Sequence, residues 1–133
     1  MKTRMRKKHR WAAVAVEMAI VTPLLLTLLF GMIEYGWLFT VRQAMVTASR
    51  EAARTAALPG STDADITSRV ANYMEPLGLT TYQVSTTHSE PGNPVETVQI
   101  SIPRADVSLL GGYFGHNSGS LHASCSMRKE GID

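Results

Sequence analysis

One carboxylate stands where an apolar setting forces a role on it. Glu17 lies within residues 11–33, a run of 23 residues that holds no other charged side chain. An ionised carboxylate in a membrane-buried helix costs up to about 3 kcal/mol at the centre and less near an edge. It therefore either reaches back to the polar boundary or meets a positive partner, and both readings are open for Glu17. The other chemistry-bearing residues do not assemble into a site. His116 and His122 are metal-ligand types, but neither has a second histidine at i, i+4 on a helix, and no carboxylate completes a known pattern. Ser118, His116 and Asp106 supply the types of a nucleophile, base and orienting acid, without a G-x-S-x-G elbow. The glycine-rich stretch 110–120 lacks the Lys-Ser/Thr of a phosphate-binding loop and reads as an exposed tip, with Tyr113 and Phe114 as a contact point. Cys125 is the single cysteine, which excludes an internal disulfide and a multi-cysteine zinc site. The expectation is a non-enzyme with no catalytic residues, no metal and no cofactor.

The elements that position Glu17 follow from charge and length. The chain has 133 residues, 44% hydrophobic and 18% charged, which allows one small domain with appendages. Of its 13 basic residues, six (Lys2, Arg4, Arg6, Lys7, Lys8, Arg10) fall in the first ten positions, where there is no acid. The remainder carries a net −4, and a basic tip on an acidic body argues against nucleic acid as a partner. As a helix, residues 11–33 would extend roughly 35 Å, enough for the ~30 Å hydrocarbon core of a bilayer. The basic cluster orients such a span with residues 1–10 in the cytoplasm and everything after about residue 36 across the membrane. A cleaved secretory signal would have a shorter apolar region, of about 7–15 residues, with an A-x-A-like site at its end. The best such site, Val46-Thr47-Ala48, comes well past Glu34.

Beyond Glu17, Pro23 removes one backbone hydrogen bond within the span and predicts a kink or local unwinding over residues 19–23. That is either a bend used in packing or a tolerated membrane proline. Glu34, Tyr35, Trp37 and Phe39 mark the outer membrane interface, as an aromatic belt or through simple solvation at the headgroups. From Thr40 to Ala57 nothing breaks the helix, so the span continues outward as a rod. Gly36, Thr40, Ala44, Ala48, Ala52 and Ala56 recur at intervals of four, a small-residue ridge that lets another backbone approach. That backbone is either the protein's own head or a neighbouring subunit. Arg50, Glu51 and Arg54 form a solvated face with weak Glu51–Arg54 pairing.

Leu58-Pro59-Gly60 stops the rod. Ser61, Thr62 or Asp63 caps a second helix at about 63–75, with Ile66, Val70, Tyr73 and Met74 as its apolar stripe, ended by Pro76. Strands are expected at 80–87, 97–102 and 121–128. The second shows the alternation Val98, Ile100, Ile102, and the third Leu121, Ala123, Cys125, Met127. The fold class is thus α+β: a long membrane helix continuing into a rod, packed with a short helix and a small antiparallel sheet.

A cut after the small residue Ala12 would make Glu17 the fifth residue of a new apolar N-terminus, the type IV prepilin pattern. The match is closer to one family. Val16-Glu17-Met18-Ala19, Pro23-Leu24-Leu25-Leu26, Gly31-Met32-Ile33-Glu34-Tyr35-Gly36 and Arg50-Glu51-Ala52-Ala53-Arg54 resemble the TadE-like family, pilin-like subunits of tight-adherence (Flp) type IV pilus systems. The closing Ser126-Met127-Arg128-Lys129-Glu130 resembles the family's M-R-x-E strand. Ala12 replaces the usual Gly before the scissile bond, and Ala52 replaces a family Gly.

The resemblance implies cleavage between Ala12 and Ala13 by a prepilin peptidase, an aspartic membrane protease acting at the cytoplasmic face. Its implied partners are that peptidase, pilin and other pseudopilin subunits, an inner-membrane assembly platform and membrane lipid. The implied organisation is a leader at 1–12, a membrane helix at 13–36, an extended helix at 37–58 and a periplasmic head at 59–133. The implied place is the bacterial inner membrane, with possible incorporation into a pilus. The rival readings are an uncut bitopic anchor with an envelope-binding head and a secreted module that loses the whole apolar segment.

Overall fold

A computed structural model describes residues 3–90, 92–111, 113 and 118–129, with side chains from residue 11 onward. Its element order is helix α1 (Thr3–Ala56), helix α2 (Asp63–Met74), then strands β1 (Gln83–Thr87), β2 (Val95–Pro103) and β3 (Ser120–Arg128). The chain divides into two compact units, residues 1–35 and residues 36–133. The fold is α+β, as the sequence predicts.

In the first unit α1 is helical without interruption, and the local unwinding expected near Pro23 does not occur. Pro23 donates no hydrogen bond to the carbonyl of Ala19. One turn on, the Thr27 hydroxyl donates to the Pro23 carbonyl at 2.8 Å. A helix meets its own backbone hydrogen bonds, which is what a lipid environment demands.

The second unit is the head. It begins with the last turns of α1, which stop at Leu58-Pro59-Gly60, where the Ser61 hydroxyl covers the Ala56 carbonyl at 3.1 Å. Of the three candidate caps for α2 the structure uses Thr62. Its Oγ1 accepts from the Asp65 amide at 3.3 Å while the Asp65 carboxylate accepts from the Thr62 amide at 2.9 Å. This reciprocal pair satisfies two helix-end donors and holds the Asp65 carboxyl below its usual range, chiefly through hydrogen bonds from Thr62. Ile66, Val70 and Met74 are buried, whereas Tyr73 turns outward. Pro76 sits in a 3-10 turn (Glu75–Leu77) closed by Gly78 at φ 72°, a left-handed conformation that only glycine adopts without strain.

The sheet is an antiparallel meander in the order β1-β2-β3. β1 starts at Gln83, later than the sequence suggests. Continuing its register would set residue 81 against Pro103, which has no N–H to donate. β2 begins at Val95 and pairs along its whole length with β3. Val98, Ile100 and Ile102 face inward with Val84, Leu121, Ala123, Cys125 and Met127. They meet α2 and the α1 residues Val41, Met45, Ala48, Ala52, Ala53 and Ala56 in one core. The outer face is polar, with Thr97 and Ser126 hydroxyls paired across the strands at 2.8 Å.

The inward alternation of β2 also carries Glu96, whose side chain has no solvent exposure. Lys129 Nζ lies 2.9 Å from Oε1, the Ser89 hydroxyl donates to the same oxygen at 3.0 Å, and His88 Nδ1 lies 3.2 Å from Oε2. His88 Nε2 in turn stands 3.2 Å from Asp63 at the start of α2. Burial pushes the Glu96 carboxyl up, but the bonds from Lys129 and Ser89 and the lysine charge outweigh it, and its pKa falls below the usual glutamate value. The stabilisation from Glu96 is therefore full above its unfolded pKa and is lost as pH falls through the lower folded one.

Two outcomes follow for the full chain in detergent micelles, read by urea unfolding with near-ultraviolet circular dichroism. Ala48→Leu adds bulk to a fully buried position and should destabilise the head by about 1–3 kcal/mol. Lys129→Met should lower stability at neutral pH. It should also make the loss between pH 6 and 3 shallower (~ the carboxylate range), because without the lysine the Glu96 carboxyl no longer sits so low. An unchanged pH slope would show that Lys129 does not hold Glu96 ionised.

Candidate functional site

The site is built from the residues that α1 exposes. Every residue from 11 to 30 is exposed, among them Ala12, Ala13, Glu17 and Pro23. Fourteen large hydrophobic side chains between Trp11 and Ile33 face outward on all sides of the helix. Full burial of such a side chain is worth roughly 1.5–3 kcal/mol, so removing all of them from water is worth about 20 kcal/mol or more. That exceeds the net stability of a typical domain, ~5–15 kcal/mol. An apolar medium or other apolar helices must cover this surface. The helix is long and apolar enough to cross a membrane and none of its most apolar window is buried, which fits a membrane anchor.

Glu17 is the one charge on that surface. Side chains on a helix tilt toward its N-terminal end. The carboxylate therefore leans toward the turn that holds Ala13, four residues and ~6 Å of rise away. At the other end of the apolar run, Glu34 is buried, not simply solvated, and Tyr35 is exposed. Trp37 is half-buried, and its indole N–H donates to the Val107 carbonyl at 2.8 Å. One end of this belt residue is thus spoken for within the head.

The small-residue ridge divides. Ala48, Ala52 and Ala56 are buried in the core of their own head and Ala44 is half-buried, whereas Gly36 and Thr40 are exposed. Of the two covers open to this ridge, its own head or a neighbouring subunit, the three buried alanines have the head's own. An added Cβ at Gly36 would meet nothing within 4 Å, so that face is open. Arg50 and Arg54 are exposed as expected, but among the described residues no ion pair joins Glu51 to Arg54.

His122 meets the Ser120 hydroxyl at 2.9 Å on the outer face of β3, and Asp106 lies in a 3-10 turn (Arg104–Asp106). Phe114, His116 and Glu130 lie outside the described residues, as do the side chains of the basic cluster at 2–10. Among the described residues no group of three His, Cys, Asp or Glu is placed to hold a metal. Sequence reasoning missed the Glu96 cluster. Its signal was the parity of β2, since Glu96 is in step with Val98, Ile100 and Ile102.

The comparison with known proteins meets this picture at the helix. The family model described as TadE-like protein matches residues 12–54. No curated protein and no solved structure matches the chain. The matched segment takes in the exposed apolar run, Glu17, Pro23, Glu34 and the Arg50–Arg54 motif, so the long helix of this chain carries the TadE-like family's segment, the family its residues resemble.

Proposed function

We propose that this chain is a TadE-like minor pilin or pseudopilin, a non-enzymatic structural subunit for assembling a Flp (tight-adherence) type IV pilus or a related secretion machine. The observation that carries the reading is an α-helix exposed and apolar on every side from residue 11 to residue 30, broken by one carboxylate. On this reading the helix spans the bacterial inner membrane with the basic cluster cytoplasmic and the head periplasmic, by the positive-inside rule. A prepilin peptidase cuts between Ala12 and Ala13. The cut removes six positive charges that hold the helix to the anionic cytoplasmic leaflet.

The cut also creates an α-amino group one helical turn from Glu17. The lean of the side chain favours pairing with that group or with the same group of a neighbouring subunit, so two charges enter an apolar assembly together. An acid near the first turn also complements the positive end of the helix dipole. The expected partners are the peptidase, pilin and other pseudopilin subunits, the inner-membrane platform and lipid. The replacement of the usual Gly by Ala12 supports one rival, an uncut bitopic anchor with an envelope-binding head.

The amino terminus of the native protein tests this directly, by mass spectrometry of membrane fractions with and without the peptidase. A start at Ala13 that disappears without the peptidase is expected. A start at Met1 in both preparations would make the chain an uncut anchor, and a start near Ser49 would make it a secreted module. Glu17→Ala should leave cutting intact and reduce assembled pili about tenfold or more, equivalent to losing at least ~1.4 kcal/mol per assembled subunit. Normal pilus numbers with a cut, abundant variant would remove charge pairing from the proposal.

A further inference from the structure

The sheet of the head has two edges, and they are unequal. β1 has five residues, whereas β3 has nine and pairs with β2 along its whole length. Which of its backbone groups turn outward follows from the bonds at its two ends. The Arg104 amide donates to the Gly119 carbonyl at 3.0 Å, and the Lys129 amide donates to the Pro94 carbonyl at 2.9 Å. In an antiparallel ladder alternate residues address the same neighbour, so the odd-numbered residues from 119 to 129 turn their backbone groups to β2. The N–H and C=O groups of Ser120, His122, Ser124, Ser126 and Arg128 therefore point to the open edge, and among the described residues no backbone bond reaches them. Proteins protect such an edge with lysine, proline, a bulge or an inward charge. From Ser120 to Met127 there is no Asp, Glu, Lys, Arg or Pro, and the register with β2 advances without a bulge. The apolar face is also incomplete here: Leu121, Cys125 and Met127 are half-buried, whereas Val98, Ile100 and Ile102 of β2 are buried.

We propose that β3 pairs with β3 of a second copy of this chain, antiparallel about a two-fold axis at Ser124, so that two heads share one continuous sheet. What selects a second copy is that the strand is complementary to itself. With Ser124 opposite Ser124, His122 stands opposite Ser126 and Ser120 opposite Arg128, so every outward backbone group meets another. On the apolar face Leu121 then stands opposite Met127 and Ala123 opposite Cys125, and each half-buried side chain gains an apolar neighbour. Like charges directly opposite one another would work against pairing. Arg128, the one Arg or Lys in the strand, meets a serine instead, and the two arginines lie at opposite ends, about 27 Å apart. The two-fold closes the assembly, which leaves only the short β1 edges at its ends. Pairing uses residues of the head alone and does not depend on cutting of the leader.

The test uses the full chain in detergent micelles, with Cys125→Ser as background. Ser124→Cys stands opposite itself at a Cα separation of ~5.5 Å, within disulfide reach, and should cross-link under mild oxidation. His122→Cys and Ser126→Cys should each fail to cross-link alone, because like positions lie ~13 Å apart, and should cross-link when mixed. Ser85→Cys, on β1, should stay monomeric. Cross-linking at 85 and not at 124 would move the interface to β1 and overturn the proposal. Equal cross-linking of every variant, alone or mixed, would show collision without register and also overturn it, as would no cross-linking by any. A reading free of disulfides comes from Ser124→Lys and Ser124→Glu, since Ser124 is exposed on the outer face. Each alone should self-associate roughly three- to fivefold more weakly than the parent in sedimentation, and an equimolar mixture should regain the parent's affinity. Equal affinity in all of them, with near-ultraviolet circular dichroism unchanged, would remove β3 from the interface.

Discussion

A helix that is apolar on every side has to be covered, and that requirement governs the rest of the chain. Over residues 11–33 α1 presents large hydrophobic side chains all around, and no described residue from 11 to 30 is shielded. Farther on, the same helix changes character. Val41, Met45, Ala48, Ala52 and Ala56 make a one-sided stripe, with Arg42, Gln43, Arg50 and Arg54 exposed. The head is what that stripe needs. A three-stranded sheet and one short helix have little core between them, so a continuous helix that supplies five or more core residues is part of the domain's stability and not an appendage.

The alanines show how this is done. Small side chains at 48, 52, 53 and 56 share one buried core with β2 and α2, and the long side chains of Met45, Met74 and Ile100 lie in the same core. The family pattern has glycine where Ala52 stands. A side chain with no solvent exposure at that position is compatible with either residue only because both are small, and alanine favours the helix by about 1 kcal/mol over glycine. The core thus explains a departure from the family pattern in packing terms. The same cover closes those four positions to any other helix.

Much of this was legible from the residues because the signals were local. The end of α1 at Leu58-Pro59-Gly60, the capping of α2, and the inward set Val98, Ile100, Ile102 each follow from a few adjacent side chains. What failed needed information from elsewhere in the chain. Tyr73 and Met74 sit three and four residues past Val70, and helical spacing admits either. The flexible methionine fills the core and the tyrosine keeps its hydroxyl outside. Glu96 looked like an ordinary polar strand residue because its partners lie 7, 8 and 33 positions away. β1 lost its first residues to a proline on the neighbouring strand. The site was legible to the extent that it is one helix, since Glu17 and Pro23 announce themselves by being the wrong residue types for their surroundings. The role of Trp37 in holding the β2–β3 loop was not, because the acceptor is 70 residues away.

Those two residue types matter more than the apolar surface for what the helix can recognise. The hydrophobic effect that removes residues 11–33 from water is worth tens of kcal/mol, but it does not distinguish lipid from a neighbouring apolar helix, because acyl chains are as apolar as leucine. Transfer between the two is therefore nearly balanced in that large term, and smaller terms decide it. Glu17 is poorly served by lipid and well served by any neighbour that brings a positive group to its depth. Pro23 leaves a carbonyl without its helical donor, and Gly36 offers a flat, open contact for a second backbone. On the proposed reading, a subunit can be held stably in the membrane before assembly and still leave it without a prohibitive barrier. The same balance makes the few polar and small positions of α1, and not its many leucines, the part of the surface that selects a partner.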